Sequence, residues 1–310
     1  MNAVTPFTSN GSYERCINAS KAVHWEIEKD VIRGRHFDQS KKYLPDGLSL
    51  VREMDSLSDG ERRLAGQIQG RTYANIFGLV ERFITAKLLE IGRDHWLGDQ
   101  IALEALVRFS DEELKHQNLF RRIEQMLAET MPAGYRFDVD PNMVAGVVLG
   151  KSTWAVLVLT MHIELFVQNH YRESIAPDAE LSELFKDVFF FHWKDECQHV
   201  VLDELELARC NAAMNDAQRS NAVDDFIELV LAVDNILKAQ AKVDVEYLAA
   251  TCGRRMECKE SDRVEMQFLK AYRWQYIFSG AGHPRFQAIL KSMVSEPQFK
   301  RIETALGALA

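Results

Sequence analysis

Apolar residues recur along this chain at three- and four-residue intervals over long stretches, the spacing of helices that bury one face. Between about Asp59 and Ile91 the positions Ile76, Leu79, Val80, Phe83 and Ile84 carry this rhythm, and Ser58 stands where a helix N-cap belongs. The segment from Gly92 to Asp99 breaks the pattern. A second helix is predicted from about Gln100 to Glu129, ending before Met131-Pro132-Ala133-Gly134. A third is predicted from about Pro141 to Arg172 and a fourth from about Ala179 to Asn211, with Pro177 in the break between them. Two more, about Asn221 to Ala250 and Ser261 to Phe278, precede Gly280-Ala281-Gly282-His283-Pro284 and a short terminal helix. Before Leu50, scattered aromatics (Tyr13, Trp25, Phe37, Tyr43) and the turn Pro45-Asp46-Gly47 predict irregular pieces and short helices wrapped over a core.

Composition supports this picture. With only 7 Pro and 16 Gly in 310 residues, breakers are too sparse for a many-stranded sandwich, and 47% hydrophobic content is too apolar for disorder. The expectation is one all-α domain over residues 1–310, with a four-helix bundle at about 59–211 and accessory helices at about 221–310. A net charge of −9 without a basic stripe argues against a nucleic-acid partner. The most apolar window, Met143 to Phe166, is interrupted by Lys151, His162 and Glu164, so no membrane span is expected. Met1 to Ser12 lacks the charged-then-apolar order of a secretory leader, which makes the cytoplasm the expected location. Five cysteines at irregular spacing read as reduced thiols.

The chemistry lies in two Glu-x-x-His motifs, Glu113-Leu114-Lys115-His116 and Glu196-Cys197-Gln198-His199. Each has a glutamate 32 residues upstream, Glu81 and Glu164. Two positions face each other across an antiparallel helix hairpin when the turn lies midway, because both arms climb at about 1.5 Å per residue. The midpoints are Leu97 and Glu180, in or beside the predicted breaks. Each hairpin therefore presents one glutamate from its first arm and a Glu–His pair from its second. Packed together, the hairpins gather four carboxylates and two imidazoles. Such a cluster is strongly repulsive unless cations neutralise it, and two divalent metals are the expected cause. Carboxylate and imidazole without thiolate favour iron or manganese over structural zinc.

With these motifs the sequence resembles the ferritin-like diiron carboxylate superfamily over about Asp59 to Asn211. His192 precedes Glu196 by four residues and His199 by seven, so the three share an arc of roughly 60° on one helix face. The pattern His-x-x-x-Glu-x-x-His is similar to that of the arylamine (p-aminobenzoate) N-oxygenase family. These diiron enzymes oxidise an aromatic amine to hydroxylamine, nitroso or nitro products. The resemblance implies two iron ions (Fe2+/Fe3+), with manganese as the alternative metal. Its implied ligands are Glu81, Glu113, His116, Glu164, His192, Glu196 and His199. The acidic residues before the motif glutamates, Glu112 and Asp195, are expected to hold the far nitrogens of the bound imidazoles. Cys197 points away from the ligand face and is expected to be a packing residue.

The resemblance further implies substrate contacts at Tyr73, two turns before Glu81, and at Gln168, one turn after Glu164. Arg273 is expected to pair with a substrate carboxylate. Implied partners are a small-molecule substrate, dioxygen, and an electron donor such as ferredoxin or a reductase. A homodimer is expected from the resemblance and from the apolar surplus in Phe226-Ile227-Glu228-Leu229-Val230-Leu231. Two alternatives remain open at this level. One is a hydroxylase or desaturase acting on a carrier-bound acyl chain, and the other is a ferritin-like iron-oxidising or iron-binding protein without an organic substrate.

Overall fold

Helix ends in this protein are fixed by side chains that satisfy backbone groups the helix itself leaves open. Ser58 accepts from the Glu61 amide while the Glu61 carboxylate accepts from the Ser58 amide, a reciprocal cap that starts α3 (Asp59–Gly92). Asp99 accepts from the amides of Ile101 and Ala102 and starts α4 (Gln100–Thr130). The computed structural model describes residues 9–310, with side chains from Gly11 onward, so the leader reading of residues 1–12 falls mostly outside it. The remaining helices are α1 (Ser9–Ala22), α2 (Asp46–Ser49), α5 (Pro141–Leu149), α6 (Thr153–Asn169) and α7 (Glu183–Ala212). They are followed by α8 (Asp216–Thr251), α9 (Cys258–Arg273), α10 (Ser279–Ala281), α11 (Pro284–Met293) and α12 (Glu296–Gly307). Three π-helical turns, Ile27–Ile32, His170–Ile175 and Trp274–Phe278, interrupt or extend this series.

The expected all-α architecture is the one observed: hairpins α3/α4 and α6/α7 form the bundle, with helices added at both ends. α1 lies against α4 and α7, and α8 packs on α6, α3 and α9. Several boundaries differ from expectation for local reasons. The predicted third helix is two, because Gly150 ends α5 and the extended Ser152, whose amide donates to Asp225, redirects the chain into α6. α7 starts four residues later than expected, since 178–182 is held in a non-helical path by the Lys42–Asp178 ion pair and by the Ser182 amide bonding the Lys42 carbonyl. α8 starts five residues earlier, at a reciprocal Asn215–Gln218 cap. The terminal helix divides into α11 and α12, the second capped by Ser295 and Gln298.

Two close approaches join outlying segments to α3. A Cβ on Gly70 in α3 would lie 2.7 Å from Tyr43 Cβ and 2.9 Å from its backbone carbon, so this helix position admits the N-terminal segment only as glycine. Asp244 of α8 is fully buried and accepts from Thr72 at 2.7 Å, from Gln240 at 2.9 Å and from the Tyr272 hydroxyl, tying α3, α8 and α9 together. The apolar run at 226–231 is mostly consumed inside the chain, with Phe226, Leu229 and Val230 buried and only Leu231 largely exposed, so it supplies little free surface for a partner. Among the described residues no helix is long and apolar enough to cross a membrane, and the five cysteines form no disulfide.

Candidate metal centre

The hairpin arithmetic holds in three dimensions. Leu97 and Glu180 both lie exposed in the turns, and Glu81, Glu113, Glu164 and Glu196 are all at most 3% exposed. They meet His116, His192 and His199 in two overlapping groups whose candidate ligand atoms lie within 4.8 Å of one another. One group is Glu81, His116, His192 and Glu196; the other is Glu113, Glu164, Glu196 and His199. Glu196 belongs to both. Its Oε1 lies 2.8 Å from His192 Nε2 and 3.2 Å from His116 Nδ1, while its Oε2 lies 2.8 Å from His199 Nδ1. Glu113 spans the groups as well, 3.1 Å from His199 Nδ1 and 3.7 Å from His116 Nδ1.

The donor set fits a pair of cations. Oε2 of Glu81, both oxygens of Glu113, Nδ1 of His116 and Oε1 of Glu196 are buried and make no hydrogen bond. Buried polar atoms left this way are costly. Burial pushes the Glu164 carboxyl well above the usual range, with the Glu196 charge adding to the effect. Burial would also raise Glu196, but His192 and His199 outweigh it and hold that carboxyl well below the usual range. An all-oxygen-and-imidazole set of this kind suits iron or manganese.

The supporting residues are exchanged between hairpins. Asp195, preceding Glu196 on α7, accepts from His116 Nε2 on α4 at 3.1 Å, while Glu112, preceding Glu113 on α4, accepts from His199 Nε2 on α7 at 2.9 Å. Each of these imidazoles thereby turns Nδ1 toward the clustered carboxylates. His192 differs: its Nε2 faces Glu81 and Glu196, and its buried Nδ1 has no partner. Phe77 and Phe120 meet the His192 ring edge-on, at 5.5 and 5.1 Å between centroids, and fix its plane through packing.

The expected substrate contacts fare differently. Tyr73 is fully buried, and its hydroxyl is bonded to His170 Nδ1 at 2.8 Å. Gln168 donates to the backbone carbonyl of Glu196 at 2.9 Å. Arg273 is held by Asp234 of α8 through two contacts at 2.7 and 3.2 Å, so its fork is already occupied by a carboxylate of this chain. Cys197, expected to pack, is exposed, because the α7 face opposite the ligands looks outward.

Sequence reasoning missed three participants. Trp25 donates to Asp195 at 3.0 Å, and Lys115 reaches the same carboxylate at 2.7 Å while lying over the Trp25 ring. Asp203 is buried with neither oxygen hydrogen-bonded, and burial pushes its carboxyl well above the usual range. Its signal was present, since 196, 199 and 203 continue the spacing of one helix face.

Beside the ligand helices lies an apolar cavity of about 400 Å³, lined by residues of α3, α5, α6 and α8 together with Asp138, Val139 and Tyr276. Val80 and Ile163 on its wall are the neighbours of Glu81 and Glu164 in sequence. No protein-family model matches this chain, and no curated protein matches it. Among solved structures the chain is similar to R2-like ligand-binding oxidases. One variant with an anaerobically reconstituted Mn/Fe cofactor is 14% identical over 88% of this chain and 94% of that one, at a TM-score of 0.45. Another, with an aerobically reconstituted Mn/Fe cofactor, is 15% identical over the same shares, at a TM-score of 0.42.

Proposed function

We propose that this chain is a non-haem dimetal oxidase that uses dioxygen, and that its substrate is a small amine oxidised at nitrogen. The observation that carries the first part is Glu196, one carboxylate whose two oxygens face imidazoles of two different groups. Glu81, His116, His192 and Glu196 would hold one ion, and Glu113, Glu164, Glu196 and His199 the other. When bound, a pair of iron or manganese–iron ions supplies reduction of dioxygen coupled to oxidation of the substrate.

The residues of the chain do the rest. Asp195 and Glu112 fix the tautomer and rotation of His116 and His199. Phe77, Phe120 and Phe189 keep water from the His192 side. In the proposed reaction an amine and dioxygen take two electrons and two protons from a ferredoxin or reductase and give a hydroxylamine and water. His192 supports nitrogen oxidation, since the matching histidine pattern was the feature shared with arylamine N-oxygenases. The apolar cavity favours a second reading, a hydroxylase or desaturase acting on an alkyl chain. The working unit is proposed to be a cytoplasmic homodimer.

Protein reconstituted with ferrous iron, or with iron and manganese, and then washed should retain two ions per chain. It should consume dioxygen with a chemical reductant and an arylamine, yielding N-oxygenated product. Retention of one ion or none by the parent chain overturns the dimetal reading. Carbon-oxidised products without N-oxygenated ones move the assignment to the second reading.

A further inference from the structure

We propose that the cavity beside the metal centre takes an uncharged, hydrocarbon-rich molecule bearing at most one hydrogen-bonding group, and that Tyr276 is the residue that meets this group. The inference rests on the oxidase reading only for what happens to the molecule once bound.

The volume of about 400 Å³ is that of a small-molecule site. Among the described residues its lining carries no lysine, arginine or histidine, and its only polar side chains are Asp138, Asn235 and Tyr276. Asp138 and Asn235 are exposed, alongside Met143 at 61%, and so mark the mouth between α5 and α8. The inner part is formed by aromatic groups: Phe77, whose ring touches the His192 imidazole, together with Phe166 and Tyr276. An anion placed there would find no cationic side chain in the wall, and Arg273 is already paired with Asp234. A cation would find no acid in the interior, because the one carboxylate of the lining sits at the mouth. Burying either charge unpaired costs far more than apolar contact returns.

Tyr276 is the exception to the apolar interior. It is 5% exposed, and its hydroxyl is buried without a hydrogen-bond partner among the described residues. Buried tyrosines ordinarily find one. The neighbouring phenol, Tyr73, is already bonded to His170. Tyr276 also sits in the π-helical turn Trp274–Phe278, a distortion frequent at functional sites. A ligand hydroxyl or neutral amino group would satisfy the phenol, and the surrounding apolar wall would take the hydrocarbon.

Metal-free protein at pH 7.5 can be titrated calorimetrically with a matched set: butylbenzene, 4-butylphenol, 4-butylaniline, 4-butylbenzoate and 4-butylbenzylammonium. The three neutral compounds should bind, and the two ions should bind at least about tenfold more weakly. Tyr276→Phe should weaken the phenol and the aniline by about five- to tenfold and leave butylbenzene within about twofold, the effect of one hydrogen bond. Ala232→Phe, at a half-buried wall position outside the fully buried core, should weaken all three neutral compounds by at least about tenfold. Binding of the benzoate or the ammonium as tight as that of the neutral set overturns the proposal. So does Ala232→Phe binding like the parent, a readout that stands even if Tyr276→Phe does not fold. Metal content is measured on the same preparations. Neutral-compound binding in a chain that never takes up metal removes the oxidase reading alone, and two bound ions without neutral-compound binding removes this inference alone.

Discussion

Asp195 on α7 accepts a hydrogen bond from His116 on α4 at 3.1 Å, so the residue that orients one hairpin's histidine is carried by the other hairpin. Glu112 and His199 repeat the relation in the opposite direction at 2.9 Å. Asp195→Asn should therefore lower metal affinity by about 10- to 100-fold with helical circular dichroism unchanged. Glu112→Gln should do the same through the other ion. Competition against a chromophoric chelator measures both, and parental affinity in either variant would show that its carboxylate does not orient a ligand.

The shared and unshared ligands should separate by stoichiometry. Glu196→Ala removes an oxygen from each group and should leave less than one ion per chain, whereas Glu81→Ala should leave about one. His192→Ala should weaken only the Glu81 side. Elemental analysis after gel filtration reads all three, and equal losses in Glu81→Ala and Glu196→Ala would refute the sharing.

How much of this was legible in the sequence follows from the range of each interaction. The 32-residue intervals from Glu81 to Glu113 and from Glu164 to Glu196 are hairpin properties, and a single helix rise fixes them. His192, Glu196 and His199 share a face for the same reason. The crossing of Glu112 and Asp195 depends on how two hairpins pack, which no local spacing encodes. Trp25 reaches Asp195 across 170 positions and so appeared only as an isolated aromatic. Arg273 looked free because Asp234, its partner, stands 39 residues earlier on another helix. Like the helical spacing that places Asp203 with Glu196 and His199, the break at Gly150–Ser152 carried an unread signal, a glycine closing one helix just before a serine that opens the next.

Asp244 gives a pH dependence of stability. Burial raises its carboxyl to about 7 from an ordinary 3.8, against the lowering effect of its hydrogen bonds from Tyr272, Thr72 and Gln240. Because the folded-state value is the higher one, the penalty is absent below about pH 4, grows as pH rises, and is complete above about 7. At about 1.4 kcal/mol per tenfold change in proton affinity it reaches roughly 4 kcal/mol. In Asp244→Asn this part of the slope should vanish. Urea unfolding at pH 5 and pH 8 checks it: parental stability should fall relative to the variant at the higher pH, and parallel profiles would exclude Asp244 as the source.

Gly70→Ala should destabilise by about 1–3 kcal/mol, because the new methyl meets the Tyr43 backbone and not a movable side-chain end. The midpoint of urea unfolding reports it. A variant as stable as the parent would mean that the 40–45 segment does not rest against α3 in solution.

Nine-residue α5 forms one wall of the cavity yet buries only Val144 and Val148, and it is bounded by Asp140-Pro141 on one side and Gly150 on the other. With so little apolar area to lose, its local opening free energy should lie far below that of the bundle. Its amides should exchange with solvent faster than those of α3 or α6, although all three helices touch the same space. Molecules taken up by the proposed site would then be selected by two separate properties, the rate of admission past a loosely held α5 and retention by the aromatic interior. A substitution that tightens α5 should slow both entry and departure while leaving the equilibrium affinity nearly unchanged.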